Sequence, residues 1–147
     1  MLDVTIGFRA AMPVAGAQFS KLCQLIMTRL NDPAAVVQRQ LDAFNARDLD
    51  ALLATYAEDA EMFEHPSKLL ASGSAAFRER YTARFQEANL HATLLSRTVM
   101  GHIVVDHEEV SRTFPEGAGK IRLMMIYEVK QGRIVKAWSI AGAKTLD

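Results

Sequence analysis

The chain has 147 residues, half of them apolar and 23% charged, with 17 Lys plus Arg balanced by 17 Asp plus Glu. That length suits one domain with a sizeable core, and the charge balance supplies no field to gather nucleic acid or an acidic membrane. No stretch approaches the roughly 18 uncharged apolar residues of a spanning helix, and the single cysteine, Cys23, allows no intrachain disulfide, which fits a cytoplasmic protein.

Residues 2–8 alternate Val4, Ile6 and Phe8 with Asp3, Thr5 and Gly7, which permits a short strand. Ala15-Gly16-Ala17 resembles a signal-peptidase site, but Asp3 precedes any basic residue and Pro13 and Gly16 interrupt the apolar run, so export is disfavoured. Phe19, Leu22, Cys23, Ile26 and Leu30 fall at helical spacing, predicting an amphipathic helix over 18–30 with Cys23 as a small apolar residue on its face. Residues 1–31 read as an N-terminal extension and 32–147 as the domain, with Met27 as an alternative natural start.

Asp32-Pro33 is a strong helix start, a carboxylate cap followed by proline at the first helical position. Val37, Leu41 and Phe44 mark one face of that helix until Asn45-Ala46-Arg47, and Gln40 interrupts the stripe. Asp48 caps a second helix on which Leu49, Leu52, Leu53 and Tyr56 repeat at helical spacing. A short strand follows over Glu61 to Glu64, and His65-Pro66 marks its exit. Leu69 to Ser72 reads as a second short strand. Ser72-Gly73-Ser74 opens a third helix with a Phe77, Tyr81, Phe85 stripe. From His91 onward the period is two, with strands expected over about 91–100, 102–114, 120–130 and 132–141. Helices first and a meander of strands afterwards indicate an α+β fold.

The last two strands bear on assembly. Leu123, Met125 and Tyr127 share one face and Met124 and Ile126 the other. Likewise Val135, Ala137 and Ser139 oppose Ile134, Trp138 and Ile140. A sheet with helices on one side and water on the other carries a polar outer face. Apolar residues on both faces therefore predict a homodimer through the outer face of the sheet.

Ala35-Val36-Val37-Gln38-Arg39, Asn45-Ala46-Arg47-Asp48-Leu49-Asp50 and Ala57-Glu58-Asp59-Ala60 resemble the nuclear-transport-factor-2-like superfamily, in its ketosteroid-isomerase and SnoaL-like polyketide-cyclase branch. The likeness continues through Ser72-Gly73-Ser74-Ala75-Ala76 and Arg78-Glu79-Arg80-Tyr81 and resumes at Gly132-Arg133-Ile134-Val135, covering about residues 33–142. It implies a cone: a curved, mostly antiparallel sheet wrapped against three helices, a cystatin-like α+β roll, around a largely apolar pocket. Carried onto residues, it places Glu64 where ketosteroid isomerases hold their carboxylate base and Tyr81 on a pocket tyrosine. It also shows two departures: Gln40 replaces the tyrosine that donates to the oxyanion, and Met125 replaces the protonated aspartic acid that completes the oxyanion hole.

Glu64 is thus a candidate base for moving a proton next to a carbonyl, or else a solvated glutamate at a strand end. His65 takes that place if one residue is inserted in the following loop, and its imidazole titrates nearer neutrality. Gln40 either donates its amide to a ligand or bonds Tyr81 or a backbone carbonyl. Tyr81 is a ligand donor or a satisfied core tyrosine, Tyr127 a shifted oxyanion donor or a packing residue, and Tyr56 core or pocket wall. His102 and Asp106 would stand roughly 13 Å apart along one strand face, too far to share a metal. The run Asp106-His107-Glu108-Glu109 reads as a solvated turn or strand end. The expected protein binds a small apolar molecule and performs cofactor-free isomerisation, dehydration or cyclisation. The alternative is a non-catalytic binding or dimerisation module of the same fold.

Overall fold

The computed structural model describes residues 15–147, with side chains from residue 18. The strand expected over residues 2–8 lies outside them. The described residues form helices α1 (Ala15–Asn31), α2 (Pro33–Ala46), α3 (Leu49–Ala54) and α4 (Ser74–Arg84), and six strands. The strands are β1 (Tyr56–Glu64), β2 (Lys68–Ser72), β3 (His91–Met100), β4 (Ile103–Phe114), β5 (Gly117–Lys130) and β6 (Arg133–Leu146). No helix among the described residues is long and apolar enough to cross a membrane.

Local chemistry explains the helical half. Asp32 caps α2 by accepting the Ala35 N–H at 3.2 Å, and Asp48 caps α3 through the Ala51 N–H at 3.0 Å. Between them Arg47 adopts the left-handed conformation (φ 54°), and its N–H reaches back to the Ala43 and Phe44 carbonyls to end α2. The two helices therefore fold back as a tight hairpin. The α3 cap at Thr55 ends that helix before Tyr56, so Tyr56 opens β1 instead of completing the helical stripe. Helix α1 runs on from the domain through a bond from Arg39 to the Leu30 carbonyl. Its apolar residues Phe19, Leu22, Ile26 and Leu30 stay exposed, and Cys23 is exposed with them.

The strands make one open, mixed sheet in the order β2-β1-β6-β5-β4-β3. Only β1 and β6 run parallel; every other pair is antiparallel. Register shifts at Met62/Phe63, Leu94/Ser96, Ile121/Leu123 and Glu128/Val129 are irregularities that bend and twist strands. The last of these corrects the expected alternation of β6. Val129 pairs with Ile134 and Glu128 with Lys136, so Val135 is the extra residue and Ile134 turns inward beside Ala137, both fully buried.

Helices α2 to α4 cover the inner face of the sheet. One cluster gathers Val36, Val37, Leu52, Tyr56, Met62, Phe77, Tyr81, Tyr127 and Ile134; a smaller one holds Leu41, Leu90, Ala92 and Val110. Between the two clusters the packing is incomplete, and the cavity described next occupies that gap.

Candidate functional site

Strands β1, β4, β5 and β6 present alternate residues to the same side, and α2 and α4 close over them. They enclose a cavity of about 290 Å³ lined by, among others, Gln40, Phe44, Glu64, Tyr81, Glu108, Met125 and Tyr127. Glu64, Gln40, Tyr81, Tyr127 and Met125, singled out in the sequence, thus converge on one hollow. Tyr56 stands behind the wall, and His65, exposed in the loop after β1, is not part of it. A wider depression of about 880 Å³ lies around Lys130, Gln131 and Arg133, but exposed strand ends and turn residues form it and no buried titratable group faces it.

The cavity is graded in polarity and depth. Tyr127 (2% exposed), Gln40 (4%) and Met125 (8%) lie deep. Tyr127 donates its hydroxyl proton to Gln40 Oε1 across a long 3.4 Å, which leaves the Gln40 amide N–H without a partner among the described residues. Gln40 thus bonds a tyrosine, but Tyr127 instead of Tyr81. Tyr81 shares a 3.3 Å hydroxyl contact with Tyr56. Burial, before any neighbouring charge, pushes all three tyrosines above their ordinary pKa, so they remain O–H donors at neutral pH. Glu64 sits at the rim: its side chain is 53% exposed and 3.7 Å from Lys68 Nζ, a surface pair of little energetic weight.

The sequence reading missed two buried carboxyls. Asp106 and Glu108 are not solvated: they are 0% and 5% exposed, on the inward face of β4 between Val104 and Val110. Asp106 is held by Arg97, directly opposite on β3, through Nε–Oδ1 at 2.7 Å and Nη2–Oδ2 at 2.8 Å, while Arg97 Nη1 donates to Gln38 Oε1. Glu108 makes no side-chain hydrogen bond to the described residues and lines the cavity, onto which its carboxyl opens. Burial first, and the Asp106 charge second, raise its carboxyl to about 7 against the pull of Arg97. The signal lay in the strand period: a strand over 102–114 puts residues 104, 106, 108 and 110 on one face. Only Ile103-Val104-Val105 is apolar on both faces, however, so the charged run after it looked like a strand end. His102 lies in the turn before β4, so it shares no strand face with Asp106. No three His, Cys, Asp or Glu residues among the described ones cluster as a metal site.

This arrangement can hold a small molecule by its apolar body and present two carboxyl groups of different character to it, one wet and one dry. The SnoaL-like domain model matches residues 37–137, most of the chain and every cavity-lining element up to mid-β6. The chain belongs to the SnoaL-like family. Solved structures agree on the fold. A cystatin-fold protein from Novosphingobium aromaticivorans is 19% identical, covering 74% of this chain and 97% of that one with a TM-score of 0.65. A candidate polyketide cyclase from Sinorhizobium meliloti is 26% identical, covering 71% and 93% with a TM-score of 0.60. The epoxide hydrolase/cyclase-like enzyme SalBIII, which has a role in pyran ring formation in the polyether salinomycin, is 19% identical, covering 75% and 90% with a TM-score of 0.67. No curated protein matches the sequence. The SnoaL-like chain thus has the sheet-and-helix roll expected of its superfamily, with a carboxyl on β4 that the alignment to ketosteroid isomerases did not anticipate.

Proposed function

We propose that this SnoaL-like protein is a cofactor-free proton-transfer enzyme, of isomerase, dehydratase or cyclase type, acting on a small apolar carbonyl compound. The observation that carries the reading is Glu108: a carboxyl 5% exposed, without a hydrogen-bond partner among the described residues, opening on a cavity beside neutral tyrosines. A carboxyl so enclosed finds its hydrogen-bond partner only in what the cavity holds, which a ligand oxygen can supply. With a pKa of about 7 it carries a proton for much of the time at neutral pH. It can therefore give a carbonyl oxygen the hydrogen bond that the replaced aspartic acid gives in ketosteroid isomerases.

In this reading Glu64, at the rim, removes a proton from the carbon beside the carbonyl. The electron pair moves onto the carbonyl oxygen, which Glu108 protonates or hydrogen-bonds, with the Gln40 amide N–H, oriented by Tyr127, as a nearby donor. Return of the proton at another carbon, loss of a leaving group or attack on a second carbonyl then distinguishes isomerase, dehydratase and cyclase. The relatives named as cyclases support the class without naming the substrate. The test uses 2-tetralone in D2O, following deuterium uptake beside the carbonyl by NMR. The protein should accelerate uptake, and Glu64→Gln and Glu108→Gln should each lose about 100-fold or more. Uptake at the buffer rate, or full activity in Glu108→Gln, would overturn the assignment. The tie of Glu64 to Lys68 and the loss of both usual oxyanion donors favour a second reading, a binding module; tight binding of the ketone without exchange would select it.

A further inference from the structure

The rim of the cavity has a chemistry of its own. Arg80, Arg84 and Arg112 all line it. Two of the three are already engaged by Glu87, which accepts from Arg112 Nε at 2.9 Å and Nη2 at 2.8 Å and from Arg84 Nη1 at 3.1 Å. Glu64 is engaged by Lys68. Arg80 has no ion pair or hydrogen bond among the described residues, although Glu79 lies beside the same groove. It stands one helical turn from Arg84 on α4. Burial, and the positive charge of Arg80, disfavour the charged form of Arg84, with Glu87 opposing. Two guanidinium groups thus stand at one edge of a largely apolar hollow, Arg84 answered by Glu87 and Arg80 by no side chain among the described residues.

A groove lined by Arg80 and Arg84, by Glu79 and Glu87, and by Leu70 and Ala83 continues from the rim across the exposed side of α4, so a ligand longer than the cavity has somewhere to lay its outer end. Polar groups thus stand at both ends of the hollow, with Leu41, Phe44, Val110, Leu123 and Met125 between them.

We infer that the ligand of this cavity is a keto acid: an apolar body whose carbonyl points inward to Glu108 and whose carboxylate is bound at the rim by Arg80, shared with Arg84. The inference rests on the reading of the cavity as a carbonyl-binding site and adds the charge and orientation of what it takes. Arginine favours this assignment because its planar donors match a carboxylate in pairs. One unanswered cation calls for one negative charge, which a carboxylate supplies and a phosphate dianion exceeds. The volume of about 290 Å³ sits at the small end of ligand sites, which typically span roughly 300–1,000 Å³.

The experiment measures binding of 3-benzoylpropionate and of its methyl ester to the full chain by calorimetry, in the unaltered protein and in Arg80→Gln, Arg84→Gln and Arg78→Gln. Arg78 is the control: it lies on the same helix, pairs with Asp50 and does not line the cavity. The acid should bind about tenfold or more tightly than the ester, as a charge-assisted contact warrants. Arg80→Gln should remove most of that preference while leaving ester binding and the melting temperature in place, and Arg78→Gln should change neither. Equal binding of acid and ester, or a preference that survives both Arg80→Gln and Arg84→Gln, would overturn the inference and leave the carbonyl site standing. Displacement by inorganic phosphate at concentrations where acetate has no effect would overturn the choice of a carboxylate. Binding of neither compound would overturn the cavity reading and this inference with it.

Discussion

At the scale of single residues, Glu108 stands for a conflict between folding and chemistry. Its carboxyl is raised from 4.5 to about 7 by burial first and Asp106 second. An acid whose folded pKa lies above its unfolded value binds more protons in the native state between those two values. Stability must therefore fall as pH rises through that window, and the loss is complete above about 7. A shift of this size corresponds to something on the order of 3 kcal/mol. Glu108→Gln keeps the shape and removes the titration, so it should be more stable than the parent at pH 8 and nearly equal to it at pH 4.5. Urea midpoints at the two pH values check this; a parent protein as stable at pH 8 as at pH 5, with Glu108→Gln unchanged, would refute the assignment. The sequence could point to Glu64, Gln40, Tyr81 and Met125 because the superfamily pattern fixes their register, and to Tyr127 because it shares a strand face with Met125. Glu108 belongs to no such pattern, and its burial depends on β3 and β5 lying on either side of it.

At the scale of elements, the caps were the most legible feature. Asp32-Pro33 and Asp48 start α2 and α3 where a side-chain oxygen and a preset φ dictate. What the sequence concealed were the places where sheet geometry overrides local pattern. Tyr56 continues a helical stripe yet belongs to β1, and Val135 is an extra residue in β6 that turns Ile134 inward. The inner face of β4 is the most consequential such case, because it buries Asp106 with Arg97 opposite as a two-bond ion pair. Removing one partner of a buried pair leaves a charge in a poor solvent, at about 3–5 kcal/mol. The two partners are not equivalent. The Arg97 side chain retains 15% exposure and can turn towards water, whereas Asp106 retains none. Arg97→Met should therefore cost about 3–5 kcal/mol at pH 8 and Asp106→Asn less, while the double variant Asp106→Asn with Arg97→Met recovers part of the loss. Chemical denaturation of the three variants measures the coupling, and strictly additive losses would mean that the pair is not acting as one unit.

At the scale of the whole molecule, the side of the sheet away from the helices calls for a partner. Across it the register aligns Phe63 with Trp138, Trp138 with Ile126 and Ile126 with Val105, and a second row joins Ile140 to Met124. Phe63 and Trp138 stack with ring centroids 6.0 Å apart, and Met124 and Ile140 are 43% and 38% exposed. Water does not favour a continuous apolar strip of this kind on an isolated chain, and the charges flanking it, Lys136 with Glu61 and Arg122 with Glu109, are already paired with one another and suit the polar rim of an interface. We propose a homodimer built through this face, which also places the two cavities on its outer sides, open to ligand. Sedimentation at micromolar concentration should give twice the chain mass of 16.3 kDa. Trp138→Glu sets a carboxylate in the middle of the strip, where pairing would strip its hydration, and should return the mass to that of one chain while the far-ultraviolet dichroism is unchanged. A single-chain mass for the parent protein would leave the apolar face to some other partner.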